Sequence, residues 1–196
     1  TSRPRRPRRC RADGNRTLTR RELLAAGGLA LVGRLLPFSP GSGEGERSDA
    51  EIAMRSVGGG ARVWFDPVGL RVAPGATVRW VALDGVHTTT AYHPANGDVP
   101  RRIPERARPW DSGYLTEPGA TFEAKLDVAG VYDFFCRPHE AAGMVGRIVV
   151  IDAGESIQAS ANEIGPPGPA GRLPDAALEA LPSVGTSLRR GRVPAG

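Results

Sequence analysis

The stretch Cys136-Arg-Pro-His139-Glu-Ala-Ala-Gly-Met144 puts a thiolate, an imidazole and a thioether on one short run of chain. With a second imidazole from elsewhere, these side chains form the ligand set of a mononuclear blue-copper site that moves single electrons. Cu(I) and Cu(II) prefer different geometries. Two imidazoles and a thiolate in a trigonal arrangement, with a weak axial thioether, hold a compromise between them. The thiolate of Cys136 is the soft, strong donor, deprotonated outright by a bound metal. Pro138 fixes one backbone angle inside the run, and Gly143 permits the turn that brings Met144 back toward the other donors.

The second imidazole must come from His87 or His93, which complete the chain's three histidines. Asp84-Gly85 is a hairpin-type turn pair. It places His87 at the end of the segment carrying Trp80, where a neighbouring strand's loop can meet it. His93 precedes Pro94 and opens a long irregular stretch. His87 is favoured, with His93 as the alternative. Taken singly, each residue has an ordinary explanation: a buried inert thiol, a packing methionine, a surface histidine. Jointly they form one pattern, because Cys136, one of two Met and two of three His fall into it.

The other cysteine, Cys10, lies in an Arg/Pro-rich leader. Thr19-Arg20-Arg21 precedes an apolar run from Leu23 that Arg34 interrupts, too short to span a bilayer. A twin-Arg pair before a short apolar run resembles a Tat-type signal over 1–38, and the expectation is export to the periplasm or the extracytoplasmic face of the membrane. An Ala-x-Ala cleavage site is missing, so anchoring by an uncleaved signal stays open. Export separates Cys136 from Cys10. An unpaired thiol in an oxidising compartment is a liability unless something such as a metal occupies it. The charge also sorts by segment: residues 1–40 carry +8 of a chain total of +5, leaving −3 for the rest. The basic character belongs to the leader, which argues against a nucleic-acid partner.

What must position the donors is β structure. Residues 39–50, rich in Ser, Gly, Glu and Asp, read as a linker. A folded domain over 51–152 follows, made of short β-branched and aromatic segments between Gly/Pro turns: 52–57, 63–66, 77–83, 88–92, 121–126, 131–135 and 145–151. Val78, Trp80 and Ala82 share one face. This pattern predicts an all-β sandwich of about eight strands. Residues 96–111 form a Pro/Arg-rich excursion, whose Arg101, Arg102, Arg106 and Arg108 offer either a positive face or a solvated loop. Residues 153–196 read as a Pro/Gly-rich tail with one short helix near 174–181 and a disordered basic end.

Cys136-x2-His139-x4-Met144 resembles the copper loop of plastocyanin-type cupredoxins, halocyanins included. Phe65-Asp-Pro67, Leu70-x-Val72 and Pro74-Gly75-x-Thr77-Val78-x-Trp80 resemble their opening strands. The resemblance covers about 60–151 and implies a Greek-key sandwich with one copper ion near one end, held by His87, Cys136, His139 and Met144. It implies further that His139 shows its ring edge through an apolar patch of Pro138, Ala141, Ala142 and Gly143. Two residues depart from the plastocyanin pattern. Phe135 stands where those proteins have Tyr, and Thr88 where they often have Asn, although a Thr88 hydroxyl can still hydrogen-bond near the site.

The leading expectation is therefore an exported monomeric electron carrier. It would meet a membrane oxidase, a reductase or a cytochrome as a transient partner. The alternative is a copper-binding or storage protein without an electron partner, against which stands the scarcity of Met and Cys. Three histidines are too few for a multicopper enzyme, no catalytic constellation suggests an enzyme, and this ligand set is poor for structural zinc.

Overall fold

The computed structural model describes residues 48–152 and 173–196. The twin-arginine leader, the linker up to residue 47 and the Gly/Pro stretch at 165–171 lie outside the described residues. Nine strands occur among those described: β1 (Ala50–Val57), β2 (Arg62–Asp66), β3 (Gly69–Val72), β4 (Ala76–Ala82), β5 (Thr90–Ala91), β6 (Thr121–Leu126), β7 (Gly130–Phe135), β8 (Val145–Val150) and β9 (Arg192–Val193). Two short helices, α1 (Asp175–Ala180) and α2 (Val184–Arg190), precede β9.

One sheet has the order β2-β1-β4-β6 and the other β5-β7-β8-β3-β9. The β1–β4 and β3–β8 pairs are parallel, because each joins strands whose connection crosses to the other sheet; the remaining pairs are antiparallel. This is the Greek-key sandwich. On β4, Ala76, Val78, Trp80 and Ala82 are buried and alternate with half-buried residues, the period-2 signature of a sheet covered on one face. Trp80 meets Phe134 edge-on, with ring centroids 5.4 Å apart, and joins Trp110 and Phe65 in one core with Cys136 and Met144. Gly146 lies under the Phe134 ring, where a Cβ would stand 2.3 Å from Cζ.

β7 and β8 do not alternate. Residues 131–135 and all of β8 are buried, because the second sheet is covered on both faces. The outer cover is the segment expected to end in disorder. Leu173 and Ala177 pack on Tyr92, Phe135 and Val145, and Leu188 packs on Val149 and Ile151. The helix near 174–181 is α1. Beyond it, α2 and β9 are ordered, contrary to the expectation. Leu188 supplies an apolar anchor, Arg189 and Arg190 stay exposed, and β9 hydrogen-bonds the otherwise free edge of β3. The expected strand at 88–92 shrinks to two residues, since the Thr88 and Thr89 amides turn to side-chain acceptors instead of a ladder.

A buried charge cluster joins three parts of the chain. Asp133 on β7 accepts from Arg147 Nε (2.7 Å) and Nη2 (2.9 Å) on β8, and from Arg102 Nε (2.9 Å) in the excursion. Arg147 Nη1 also donates to the Pro182 carbonyl between α1 and α2, at 2.6 Å. Arg102 is therefore not part of a positive surface: it, Asp133 and Arg147 are all buried. The excursion is no solvated loop either, because Ile103, Ala107 and Trp110 enter the core. Replacing Asp133 by Ala should leave two buried guanidinium groups facing each other and cost about 3–5 kcal/mol. Urea denaturation should show this as a lowered midpoint, whereas Glu123→Ala, which breaks the exposed pair with Arg79, should change little.

Candidate metal centre

Cys136 ends β7 and caps a 3-10 helix, Arg137–Ala142. Backbone hydrogen bonds close this loop on itself. The Cys136 amide donates to the Met144 carbonyl (3.0 Å), the His139 amide to the Cys136 carbonyl (3.0 Å), and the Met144 amide to the His139 carbonyl (3.1 Å). Gly143, at φ 81°, makes the left-handed turn into β8. The loop is thus pinned between two paired strands, with Cys136 and Met144 fully buried and His139 half-buried.

His87 lies across from this loop, held by a backbone bridge to Leu115. Its Nε2 is 2.8 Å from the Asp84 carbonyl. A carbonyl only accepts, so Nε2 carries the proton and Nδ1 is left with its lone pair. Nδ1 is the atom that faces the sulfur, 3.7 Å from Cys136 Sγ, and His139 Nδ1 lies 3.4 Å from the same sulfur. The ligand atoms of His87, Cys136 and His139 all fall within 4.8 Å of one another. His93, the alternative, is spoken for: its Nδ1 accepts the Ala95 amide at 3.0 Å and caps the turn Pro94–Asn96.

The electrostatics suit a cation that displaces a proton. Burial pushes the Cys136 thiol up to about 11, against hydrogen bonds from the neighbouring backbone that favour the thiolate. Burial lowers His87, with its Asp84 carbonyl contact opposing and His139 adding to the effect, and burial lowers His139 as well. The pocket therefore presents two neutral imidazoles and a thiol, the donor set that a soft metal converts to thiolate coordination. The Thr88 amide donates to Cys136 Sγ (3.3 Å), and the Arg137 amide donates to the Thr88 hydroxyl (2.9 Å), the role expected for that hydroxyl. Such contacts around the ligands orient them and tune the metal.

Other contacts at the site left no mark in the sequence pattern. The Asp84 carbonyl that sets the His87 tautomer is a backbone atom, and any residue type would supply it. The buried Tyr92 hydroxyl donates to Glu140 Oε1 at 2.7 Å and its ring stacks on Phe135, so a core residue supports the ligand loop from below. α1 packs against the loop itself, since a Cβ on Gly143 would stand 3.0 Å from the Ala176 carbonyl oxygen.

Comparison with known proteins identifies the family. The family model for copper binding proteins of the plastocyanin/azurin family matches residues 52–151. A chloroplastic plastocyanin of Tetradesmus obliquus is 32% identical over 125 residues, covering 64% of this chain and 78% of the relative. A plastocyanin of Scenedesmus fuscus is 36% identical over 86 residues, 44% of this chain and 85% of the relative. Among solved structures, the pseudoazurin of Methylobacterium extorquens AM1 is 26% identical, with a TM-score of 0.44 over 67% of this chain and 94% of that one. The chain belongs to the plastocyanin/azurin family of copper binding proteins. Its cofactor is one copper ion, and the cluster of His87, Cys136 and His139 fits a type 1 site.

Gly143→Ala tests how tightly the ligand loop is held. The substitution meets both a left-handed backbone angle and the Ala176 carbonyl, and it should cost about 1–3 kcal/mol. Gly113→Ala, at φ 64° with nothing near its Cβ, carries the angle alone and is the control. Denaturation midpoints should fall further for Gly143→Ala, and its copper-loaded form alone should show a changed visible spectrum.

Proposed function

We propose that this chain is an exported carrier of single electrons, in which His87, Cys136 and His139 would hold copper strongly and Met144 would be a fourth, weaker donor. The observation that carries the reading is the gathering of one thiol and two imidazoles, their nitrogens aimed at the sulfur, in a pocket from which one imidazole reaches the surface. Copper supplies a one-electron couple, Cu(I)/Cu(II), when bound. The residues do the rest. The closed backbone of the loop and the Asp84 carbonyl keep the donors in place, so little has to move between oxidation states. Burial of Cys136 and Met144 excludes water. Met144 is buried on this same loop, its amide and carbonyl tied to His139 and Cys136, which supports it as the fourth donor.

His139 is the electron port in this reading. It is half-buried on a loop where the exposed Pro138, Ala141 and Ala142 are apolar and small enough to let a partner approach closely, with the exposed Arg137 turned to Asp111. A contact of that kind is small and short-lived, which suits a monomer that must release one redox partner before meeting the next. The partner class is a cytochrome, oxidase or reductase on the extracytoplasmic side, in keeping with the twin-arginine leader.

The experiment is copper loading of the full chain, then mixing with a one-electron cytochrome. The wild type should be blue with Cu(II), bleach on reduction and exchange electrons rapidly. Cys136→Ser and His87→Ala should lose the colour, and His93→Ala should keep it. A colourless copper-loaded wild type would overturn the type 1 ligand assignment. A blue protein that exchanges no electrons with any cytochrome or oxidase would instead favour copper storage.

A further inference from the structure

Asp111 closes the long excursion and makes an isolated backbone bridge to Thr90. Its Oδ2 accepts from Arg137 Nε (3.1 Å) and Nη2 (2.6 Å). Its Oδ1 accepts from the Thr90 hydroxyl (3.1 Å) and the Gly113 amide (3.1 Å). Thr90 Oγ1 is in turn 3.1 Å from Thr88 Oγ1. Thr88, as described above, takes the Arg137 amide on its hydroxyl and places its own amide on Cys136 Sγ. Thr88 and Thr90 are both fully buried.

Counting donors fixes the direction of this chain. A carboxylate only accepts, so Thr90 gives its one hydroxyl proton to Asp111. Thr90 then has only lone pairs left for Thr88, so Thr88 donates to Thr90. The Thr88 oxygen is thereby free to accept the Arg137 amide. Reversing the threonine pair would converge two donors on Thr88 Oγ1 and take away the acceptor for its own buried proton. One surface carboxylate thus sets the orientation of two buried hydroxyls.

We propose that Asp111 is a positioning residue for the metal centre, clamping the segment that carries His87 to the loop that carries Cys136 and His139. One arm runs through the Arg137 guanidinium. The other runs through Thr90 and Thr88 to the Arg137 backbone, and it fixes the Thr88 amide on the Cys136 sulfur. A lone exposed ion pair contributes little. Here four donors converge on one carboxylate, and both arms end beside a ligand. The proposal rests on the copper reading above, since it assigns Asp111 to the same site.

The test uses the full chain with Thr90→Val, which changes no charge and little volume, and Asp111→Ala. In the metal-free proteins, amide hydrogen exchange should quicken at Thr88 and Arg137 by about fivefold to tenfold in both variants, as expected for release of one ordinary hydrogen bond. In the copper-loaded proteins both variants should shift the visible absorption maximum and the reduction potential. Wild-type exchange, spectrum and potential in both variants would overturn the proposal. So would a rise in exchange spread evenly over core amides such as Val78 and Ile148, which marks general destabilisation. Should Asp111→Ala fail to fold, Thr90→Val decides alone by the same criteria. The metal-free readout separates the two claims: a colourless wild type overturns the copper reading and leaves the clamp to be judged on exchange.

Discussion

Everything at this site depends on bringing three donors together where none gains by being alone. A thiol and two imidazoles packed within 4.8 Å lose water, and burial pushes each toward its neutral form. They do not hold one another strongly, since neutral sulfur–nitrogen contacts at 3.4–3.7 Å are weak. The backbone holds them instead. Three amide–carbonyl bonds close the Cys136–Met144 loop, and the Asp84 carbonyl turns His87 so that its free nitrogen faces the sulfur. A scaffold that gathers its ligands by backbone constraint need not be reshaped by the oxidation state of what they bind, which is the requirement on a fast electron carrier.

That constraint explains the arrangement of the sheets around it. Cys136 leaves the end of β7 and Val145 re-enters β8, its ladder partner, so the loop spans neighbouring strands of one sheet. His87 comes from the connection after β4, in the other sheet. The sandwich core between them, with Trp80, Phe65 and Phe134 at its centre, sets how far apart the two ligand-bearing segments can be. A rigid aromatic core is therefore part of the metal site although none of its members would touch a metal.

The site was more legible in the sequence than the fold around it. Cys136, His139 and Met144 stand close in the chain with chemically distinctive side chains, and few histidines were left to complete the set. Strands such as β4 showed themselves through alternation. The misses have a common physical cause. β9 is short, and its pairing is set by an edge of β3 that only the folded sheet presents. Arg102 read as part of a positive face or a solvated loop because nothing in the spacing of Arg102, Asp133 and Arg147 shows that they will meet in the interior. Thr88 and Thr89 looked like strand because they are β-branched, yet their amides serve the thiol and Ser112. Polar contacts between distant segments have no period, and so pattern reasoning cannot find them.

Support for the Cys136–Met144 loop extends past the region of the family match. The match ends at residue 151, yet the ligand loop is touched by Ala176 and its support, Phe135, is covered by Leu173 and Ala177. Phe135 directly precedes Cys136, at the position where plastocyanins carry a tyrosine. A phenolic hydroxyl there would be buried among Tyr92, Val145, Leu173 and Ala177 and would need a hydrogen-bond acceptor. Phenylalanine carries no such requirement. With Leu173 and Ala177 packed on it, the residue before Cys136 is core rather than surface. The half-buried His139 edge is then the approach to the site that the covering helix leaves open.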